Sequence, residues 1–360
     1  MTNVLLFLAI FVWPFGQLLL LSGFDSSLRL QLLDVISVLL FLSLTISKES
    51  RQKTSQDPLF RPILFFAATA ILSLLLTARS FLGGQHLSAL LYLLRFVSYT
   101  SFYFAFRREG FKKYSRYFIF SAVLFLAIGF LQYIFLPDTR YLRYLGFDDH
   151  YYRLIGSFLD PNFTGLVLAS LTLLSPWPIL LIPLLALVLT FSRASFLALA
   201  AGLLYIYTAK RQFRLLLLLL LLSLFLYLVP KPFGEGINLL RTFSIISRLE
   251  NQKQALRLFV KSPLFGVGFN TLKSSSASDI PNLSSGVDNS FLFVLATMGL
   301  VGFSAFMYLL KTAWGLTKNL VARGALVAIL VHSLVNNSFF YSWILVIFFL
   351  LVNLPAKKSV

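Results

Sequence analysis

An all-α, polytopic integral membrane protein is the fold this sequence predicts, and three features predict it. Of 360 residues, 58% are hydrophobic and only 12% charged, about half the ~25% of an average soluble chain. About twelve stretches read as membrane-spanning helices, each of which needs roughly 20 mostly apolar residues. Basic residues gather in alternate loops between those stretches, the pattern of a chain threaded repeatedly through a bilayer. The whole of 1–360 is therefore expected to form a single membrane domain.

The candidate spans lie near 3–22, 30–47, 60–77, 86–106, 115–136, 161–175, 177–191, 194–209, 212–230, 288–310, 320–337 and 340–355. The first has no basic residue before it and no small-residue cleavage site after it, so it reads as an anchor. The sixth to eighth are short and closely spaced. Residues 215–222 are an unbroken leucine run that carries hydrophobicity alone.

The formal net charge of +18 comes from 31 Lys and Arg against 13 Asp and Glu. With the N-terminus inside, the inner segments hold Lys48, Arg51, Lys53 and Arg61; Arg107, Arg108, Lys112, Lys113 and Arg116; and Lys210, Arg211 and Arg214. Lys311, Lys318, Arg323, Lys357 and Lys358 complete that face, making seventeen cations against Glu49, Asp57 and Glu109. The inner face thus accounts for +14, which topology explains with both termini cytoplasmic. A nucleic-acid binder would place such charge on a soluble face with interleaved aromatics, so no nucleic-acid partner is expected. The absence of cysteine excludes disulfides and thiolate chemistry. There is no His/carboxylate ligand set, P-loop or G-x-S-x-G elbow, and Asp148–Asp149 and the isolated Asp25 support a divalent site poorly. Neither metal nor cofactor is expected.

Two outer segments are long: 137–160, and 231–287 between the ninth and tenth spans. The second contains Ser247 and Glu250 at capping-box spacing. Leu249, Leu256, Phe259 and Val260 follow on one helical face, with Lys253, Arg257 and Lys261 on another, before Pro263 ends the run. Such an amphipathic helix suits a membrane surface; a helix that simply covers the bundle fits the periodicity equally well.

Three helix starts concentrate polar residues at the outer face. They are Asp160, Pro161 and Asn162; Ser192 and Arg193 in the turn between the seventh and eighth spans; and Asp288, Asn289 and Ser290 before the tenth. Outward-pointing helix N-termini favour anions, phosphate above all, and Arg193 with Arg248 completes the pattern of a pyrophosphate clamp. Each element also has a plainer reading. Asp160 and Asp288 suit N-caps whatever else they do. Arg193 suits snorkelling to headgroups, although so short a turn needs no topogenic charge. His332, deep in the eleventh span with Asn336, Asn337 and Ser338 beyond it, fits either a functional cluster or interhelical glue. Arg95 lies in mid-span and needs a partner, for which Asp34 is the candidate. GVGFN at 266–270 reads as a tight turn.

Taken in order, the pieces are DPN at 160–162, SRAS at 192–195, SRLE at 247–250, PLFGVGFN at 263–270, NSFL at 289–292 with MGLVG at 298–302, and HSLVNN at 332–337. In that order and at those separations they resemble the O-antigen ligase and O-antigen polymerase (WaaL/Wzy-like) membrane proteins, over roughly 153–343. The resemblance implies a GT-C-like, metal-independent, inverting glycosyltransferase of the bacterial inner (cytoplasmic) membrane, with its active site facing the periplasm or outside. The donor it implies is a glycan on a polyprenyl pyrophosphate of the undecaprenyl type. The acceptor is a hydroxyl of a glycan or lipid-glycan. Arg193 and Arg248 would hold the pyrophosphate, and Asn162, Ser192, Asn289, Arg257 and His332 would contact substrate. The family commonly has His immediately before the Asn of the tenth span; here Asp288 stands there and takes the role of base by position. Two rivals stand beside this reading. A transporter or flippase of lipid-linked glycans would show midplane ionisable residues and broken helices in matching halves. A non-catalytic subunit of a polysaccharide export system would need no reactive carboxylate.

Overall fold

A computed structural model describes residues 1–21, 29–77, 83–211, 214–229, 235–272 and 286–356. Asp25, Lys357, Lys358 and, within the long loop, residues 231–234 and 273–285 lie outside the described residues. Apolar runs unbroken by turn residues become helix almost throughout. The chain opens with α1 (Thr2–Val12), which tightens into a 3-10 segment (Trp13–Leu19) bent at Gly16. A two-residue antiparallel ladder, β1 (Leu20–Leu21) on β2 (Leu30–Gln31), then leads to α2 (Leu32–Ile46), α3 (Lys48–Ser55), α4 (Phe60–Thr77), α5 (Gly83–Glu109) and α6 (Phe111–Phe135). The second half contains α7 (Pro161–Leu174), α8 (Leu181–Leu189), α9 (Arg193–Lys210), α10 (Arg214–Leu228) and α11 (Phe243–Lys261). It closes with α12 (Ser290–Leu316), α13 (Leu320–His332) and α14 (Ser342–Val352).

Among the described residues five helical stretches are, by length and composition, long and apolar enough to cross a membrane: Thr2–Leu19, Phe60–Thr77, His86–Glu109, Phe111–Phe135 and Ser290–Leu316. Other apolar helices are shorter. At 1.5 Å per residue, α13 and α14 are only ~20 and ~17 Å long, against a hydrocarbon layer of ~30 Å. The eleventh span, expected to run to 337, stops at His332, so that histidine is the last helical residue and not a mid-helix one. Residues 333–341, which join α13 to α14, consequently lie within the bundle. Phe340 touches Phe66, a third of the way along α4, and Phe96, midway along α5, with ring centroids 6.1 and 5.8 Å apart. With Phe269, Phe293, Phe306 and Phe339 these rings form a buried aromatic cluster.

The expected straight tenth span is corrected by the structure. Gly299 adopts φ 62°, ψ −163° and breaks α12 in two. Phe291 and Phe306, which a straight helix would hold ~22 Å apart along its axis, have ring centroids 5.7 Å apart. The two halves therefore form a hairpin with Gly299 at its tip. Beside that tip, Leu300 and Val301 donate to the carbonyls of Pro263 and Leu264, and Ser73 donates to Thr297 O. The second half runs in the same direction as α9, because α13 is antiparallel to both: it meets α9 at Ser195–His332 and Gly202–Gly324, and it returns along α12 after a short turn with Arg323 over Trp314. The first half runs against it, so its N-terminus does not point the same way as those of α7 and α9. A Cβ at Gly299 would overlap the Leu264 carbonyl as well as requiring a left-handed backbone. Gly299→Ala is expected to cost about 2 kcal/mol or more, read as a lowered thermal midpoint of the detergent-solubilised protein. An unchanged midpoint would contradict the hairpin.

Arg95 meets the partner expected for it. Its Nη2 donates to Asp34 Oδ2 at 2.7 Å and to Arg29 O at 2.6 Å, and Tyr99 donates to Asp34 Oδ1 at 3.0 Å. Satisfying the charge in this way is what makes burying it tolerable.

Candidate active site

The site is assembled where the starts of α7, α9 and α12 meet the end of α13. At α7, Asp160 has extended backbone and accepts from the amides of Asn162 (2.6 Å) and Phe163 (3.2 Å), with Pro161 at the first helical position. This is the N-cap expected from DPN. Burial raises the Asp160 carboxyl above its ordinary range, against the lowering effect of those two amides and of Arg153. At α9, Ser192 caps the helix and donates to Asn162 Oδ1 at 3.0 Å. Ser195 Oγ lies 2.9 Å from Ser192 Oγ, 3.0 Å from Asn162 O and 3.3 Å from His332 Nε2. His332 is fully buried, and its Nδ1 sits 2.6 Å from Ser338 Oγ. A continuous hydrogen-bonded chain thus ties the starts of α7 and α9 to the segment after α13.

At α12 the cap moves by one residue. Asn289, not Asp288, accepts from the amides of Phe291 and Leu292 (2.9 and 3.0 Å), and its Nδ2 donates to Leu334 O at 2.8 Å. The extended backbone of Asn289 turns its own side chain over the first turn, leaving Asp288 outside the helix. The expectation that Asp288 serves as a cap is therefore corrected. Its backbone amide donates to Asn251 Oδ1 at 2.9 Å, while no hydrogen bond holds its half-buried carboxyl among the described residues. Burial raises the Asp288 carboxyl above its ordinary range; Arg248 opposes the rise and Asp148 adds to it.

Four arginines share one electrostatic field here. Arg193 does not snorkel: it donates to Leu239 O (3.0 Å), Arg241 O (2.9 Å) and Ser244 Oγ (2.7 Å), fastening the approach to α11 onto α9. Arg248 donates to Asn336 Oδ1 at 3.2 Å. Arg241 donates to Gly236 O and Asn238 O, and the buried Arg153 donates to Thr190 O at 2.8 Å. Burial, joined by the positive fields of Arg241, Arg248 and Arg193 and offset in part by Asp160, brings Arg153 down to about 9. Burial first, then Arg193 and Arg248, lowers Arg241; burial, then Arg248, lowers Arg193. Among the described residues none of the four is within 4 Å of a carboxylate oxygen. Arg153 and Arg241 escaped the sequence reading. The signal that could have found them is that both lie in the long outer segments, where cations serve no topogenic purpose.

The amphipathic helix exists as α11 and packs its polar side inward. It begins at Phe243, so Ser247 and Glu250 lie inside it and form no capping box. Its buried residues are Asn251, Gln254, Ala255 and Leu258. Leu249, Leu256 and Val260 are exposed, as are Lys253, Arg257 and Lys261. The polar side packs on the bundle because it carries the site: Gln252 donates to Leu334 O at 3.2 Å and Asn251 to Gly286 O at 2.8 Å. Arg257 follows Arg248 by nine residues, half a turn round at 100° per residue. The structure thus brings Asn162, Ser192, Arg193, Arg248, Asp288, Asn289 and His332 into one constellation, with Arg257 on the opposite face of α11.

The chemistry available is a concentration of guanidinium charge beside helix N-termini, with one unengaged carboxyl poised upward. Among the described residues no three His, Asp or Glu side chains converge as a metal site. Residues 178–307 match the family model described as O-antigen ligase, and the match supports assignment to the O-antigen ligase/polymerase family. It spans Arg193, Arg248, Asp288 and Asn289; Arg153, Asn162 and His332 lie outside it. The comparison with curated proteins gave no match.

Proposed function

We propose, for a chain whose residues 178–307 match the O-antigen ligase family, that it transfers a glycan from a polyprenyl pyrophosphate to an acceptor hydroxyl without a metal. The convergence of Arg153, Arg193, Arg241 and Arg248 with Asp288 carries this reading. The donor's pyrophosphate engages Arg193 and Arg248, while Arg153 and Arg241 deepen the positive potential. Asp288 takes the proton of the acceptor hydroxyl, whose oxygen attacks the anomeric carbon. The bond from that carbon to the phosphate oxygen breaks, and its electron pair leaves on the pyrophosphate, where the arginines stabilise it. One displacement from the face opposite the leaving group inverts the anomeric centre. Asn162, Ser192, Asn289 and His332 hold the helix starts in register around the sugar, and Arg257 meets headgroups beside the exposed stripe of α11.

In the same reading the chain is a multi-pass protein of the bacterial inner membrane with both termini cytoplasmic and the arginine cluster facing outward. The break at Gly299 is the observation that favours a transporter of lipid-linked glycans instead. That rival calls for a matching break in the other half. The bend at Gly16 leads into a 3-10 segment and a short strand, and no second half-helix follows it among the described residues. The distinguishing experiment is the lipid-linked material that accumulates in a deletion strain. Uncapped lipid-linked polymer at the outer leaflet indicates a ligase and single lipid-linked repeat units there indicate a polymerase. Material trapped at the inner leaflet contradicts transfer and supports the transporter.

A further inference from the structure

Asn337 and Phe340, in the segment that joins α13 to α14, border a cavity lined by aromatic rings and a few polar groups. Its volume is about 100 Å³, and it is bounded by Tyr92, Arg95, Phe269, Asn270, Asn337 and Phe340 among others. That is room for about three waters at ~30 Å³ each, or for one edge of a sugar ring.

The groups facing this space limit what it holds. Arg95 commits Nη2 to Asp34 and Arg29, which leaves Nε and Nη1 without a hydrogen bond among the described residues. Asp34 also neutralises its charge, so the cavity has donors but no net attraction for an anion. Asn337 Oδ1 is buried and has no partner among the described residues; an acceptor in that position demands a donor. A phosphate, which at neutral pH offers mainly acceptor oxygens, would leave Asn337 Oδ1 facing another acceptor. The rings of Tyr92, Phe269 and Phe340 supply apolar faces. A neutral group that donates and accepts at neighbouring atoms, and stacks a C–H face on aromatic rings, is the edge of a sugar.

We infer that this cavity is a subsite for one hydroxyl-bearing sugar ring of a glycan substrate, with Asn337 accepting from one hydroxyl and Arg95 donating to its neighbour. The inference rests on glycan transfer being the function. Its position fits: Asn336 accepts from Arg248, and Asn337, the next residue, faces the cavity. A glycan reaching from one to the other presents successive sugars to neighbouring residues of a single segment.

Either the acceptor or the distal part of the donor could provide that ring, and two measurements separate the sources. In the first, the full-length protein in lipid nanodiscs is probed by saturation-transfer NMR with the methyl glycosides of glucose, galactose and N-acetylglucosamine. Wild type should give a signal that falls at least fivefold in Asn337→Leu and in Asn270→Gly. The second variant removes an amide while keeping the left-handed backbone that Asn270 adopts. Arg140→Ala, at an exposed ion pair outside the cavity, should retain the signal. No signal from wild type, no loss in either cavity variant, or an equal loss in Arg140→Ala overturns the subsite. Because this readout needs no transfer, it stays informative if the proposed reaction fails. In the second, Asn337→Leu should raise KM about tenfold for the acceptor alone if the ring is the acceptor's, or for the donor alone if it is the donor's. Wild-type KM values for both overturn the subsite.

Discussion

Arg248→Ala is expected to lower glycan transfer about 10²–10³-fold, the loss typical when one preorganised donor to a developing negative charge is removed. Among the described residues Arg248 has a single hydrogen bond, to Asn336 at 3.2 Å, so its removal breaks one contact. Its Nε and Nη1 remain available to an anion, and its field reaches Asp288, His332, Arg153, Arg193 and Arg241. Arg193→Ala should be at least as damaging for an additional reason. Its guanidinium satisfies two carbonyls and a hydroxyl between 239 and 244, and removing it frees the approach to α11 that carries Arg241 and Arg248. Arg193→Lys should not rescue, since an ammonium lacks the planar fork that spans three acceptors. Initial rates in membranes, normalised to the protein inserted, check both; wild-type-like rates from both alanine variants would remove the clamp.

Asp288→Asn should lower transfer by about 10²–10⁴-fold, the usual contribution of a general base. Because Asn289 caps α12, the substitution leaves helix capping untouched, and a loss of activity cannot be put down to a frayed helix. Burial raises the Asp288 carboxyl, and the base works only when ionised. The acid limb of kcat/KM should therefore lie above the ordinary carboxylate range. Arg248 holds that carboxyl down, so the residual activity of Arg248→Ala should show the limb moved to higher pH. Stability should move the opposite way from activity. A carboxyl whose folded-state pKa exceeds its unfolded value imposes no penalty below the unfolded value. The penalty grows as pH rises between the two values and is constant above both. Asp288→Asn should melt higher than wild type at neutral pH, and the difference should vanish in acid. A variant as active as wild type, or an acid limb in the ordinary carboxylate range, would reduce Asp288 to a bystander.

What could be read in the sequence was what depends on local chain chemistry. Residues 60–77 form α4 over the expected range, and DPN and SRAS cap α7 and α9 as their side chains require. The misses depend on contacts far along the chain. Met298–Gly299 sits in an apolar run where a glycine is tolerable in a straight helix; only the carbonyls of 263 and 264 taking the amides of 300 and 301 reveal the break. Asp288 and Asn289 are both good caps, and the choice between them follows from Asn251 engaging the amide of Asp288. The periodicity of α11 fits a membrane-surface helix and a bundle cover equally; the bundle presents polar groups there, so its amides pack inward and Leu249, Leu256 and Val260 stay exposed. Arg153 and Arg241 carry no motif, since their partners are carbonyls at 190, 236 and 238.

The central claim is that these arginines and Asp288 perform metal-free transfer from a lipid pyrophosphate. Its most direct test is purified protein in proteoliposomes given an undecaprenyl-pyrophosphate-linked glycan and a lipid-glycan acceptor in excess chelator. The account predicts that wild type forms the glycosidic product with inverted anomeric configuration and releases undecaprenyl pyrophosphate in equal amount, while Arg248→Ala and Asp288→Asn release both at least about a hundredfold more slowly. Transfer that stops on adding chelator, retained configuration, or equal product from either variant would contradict it.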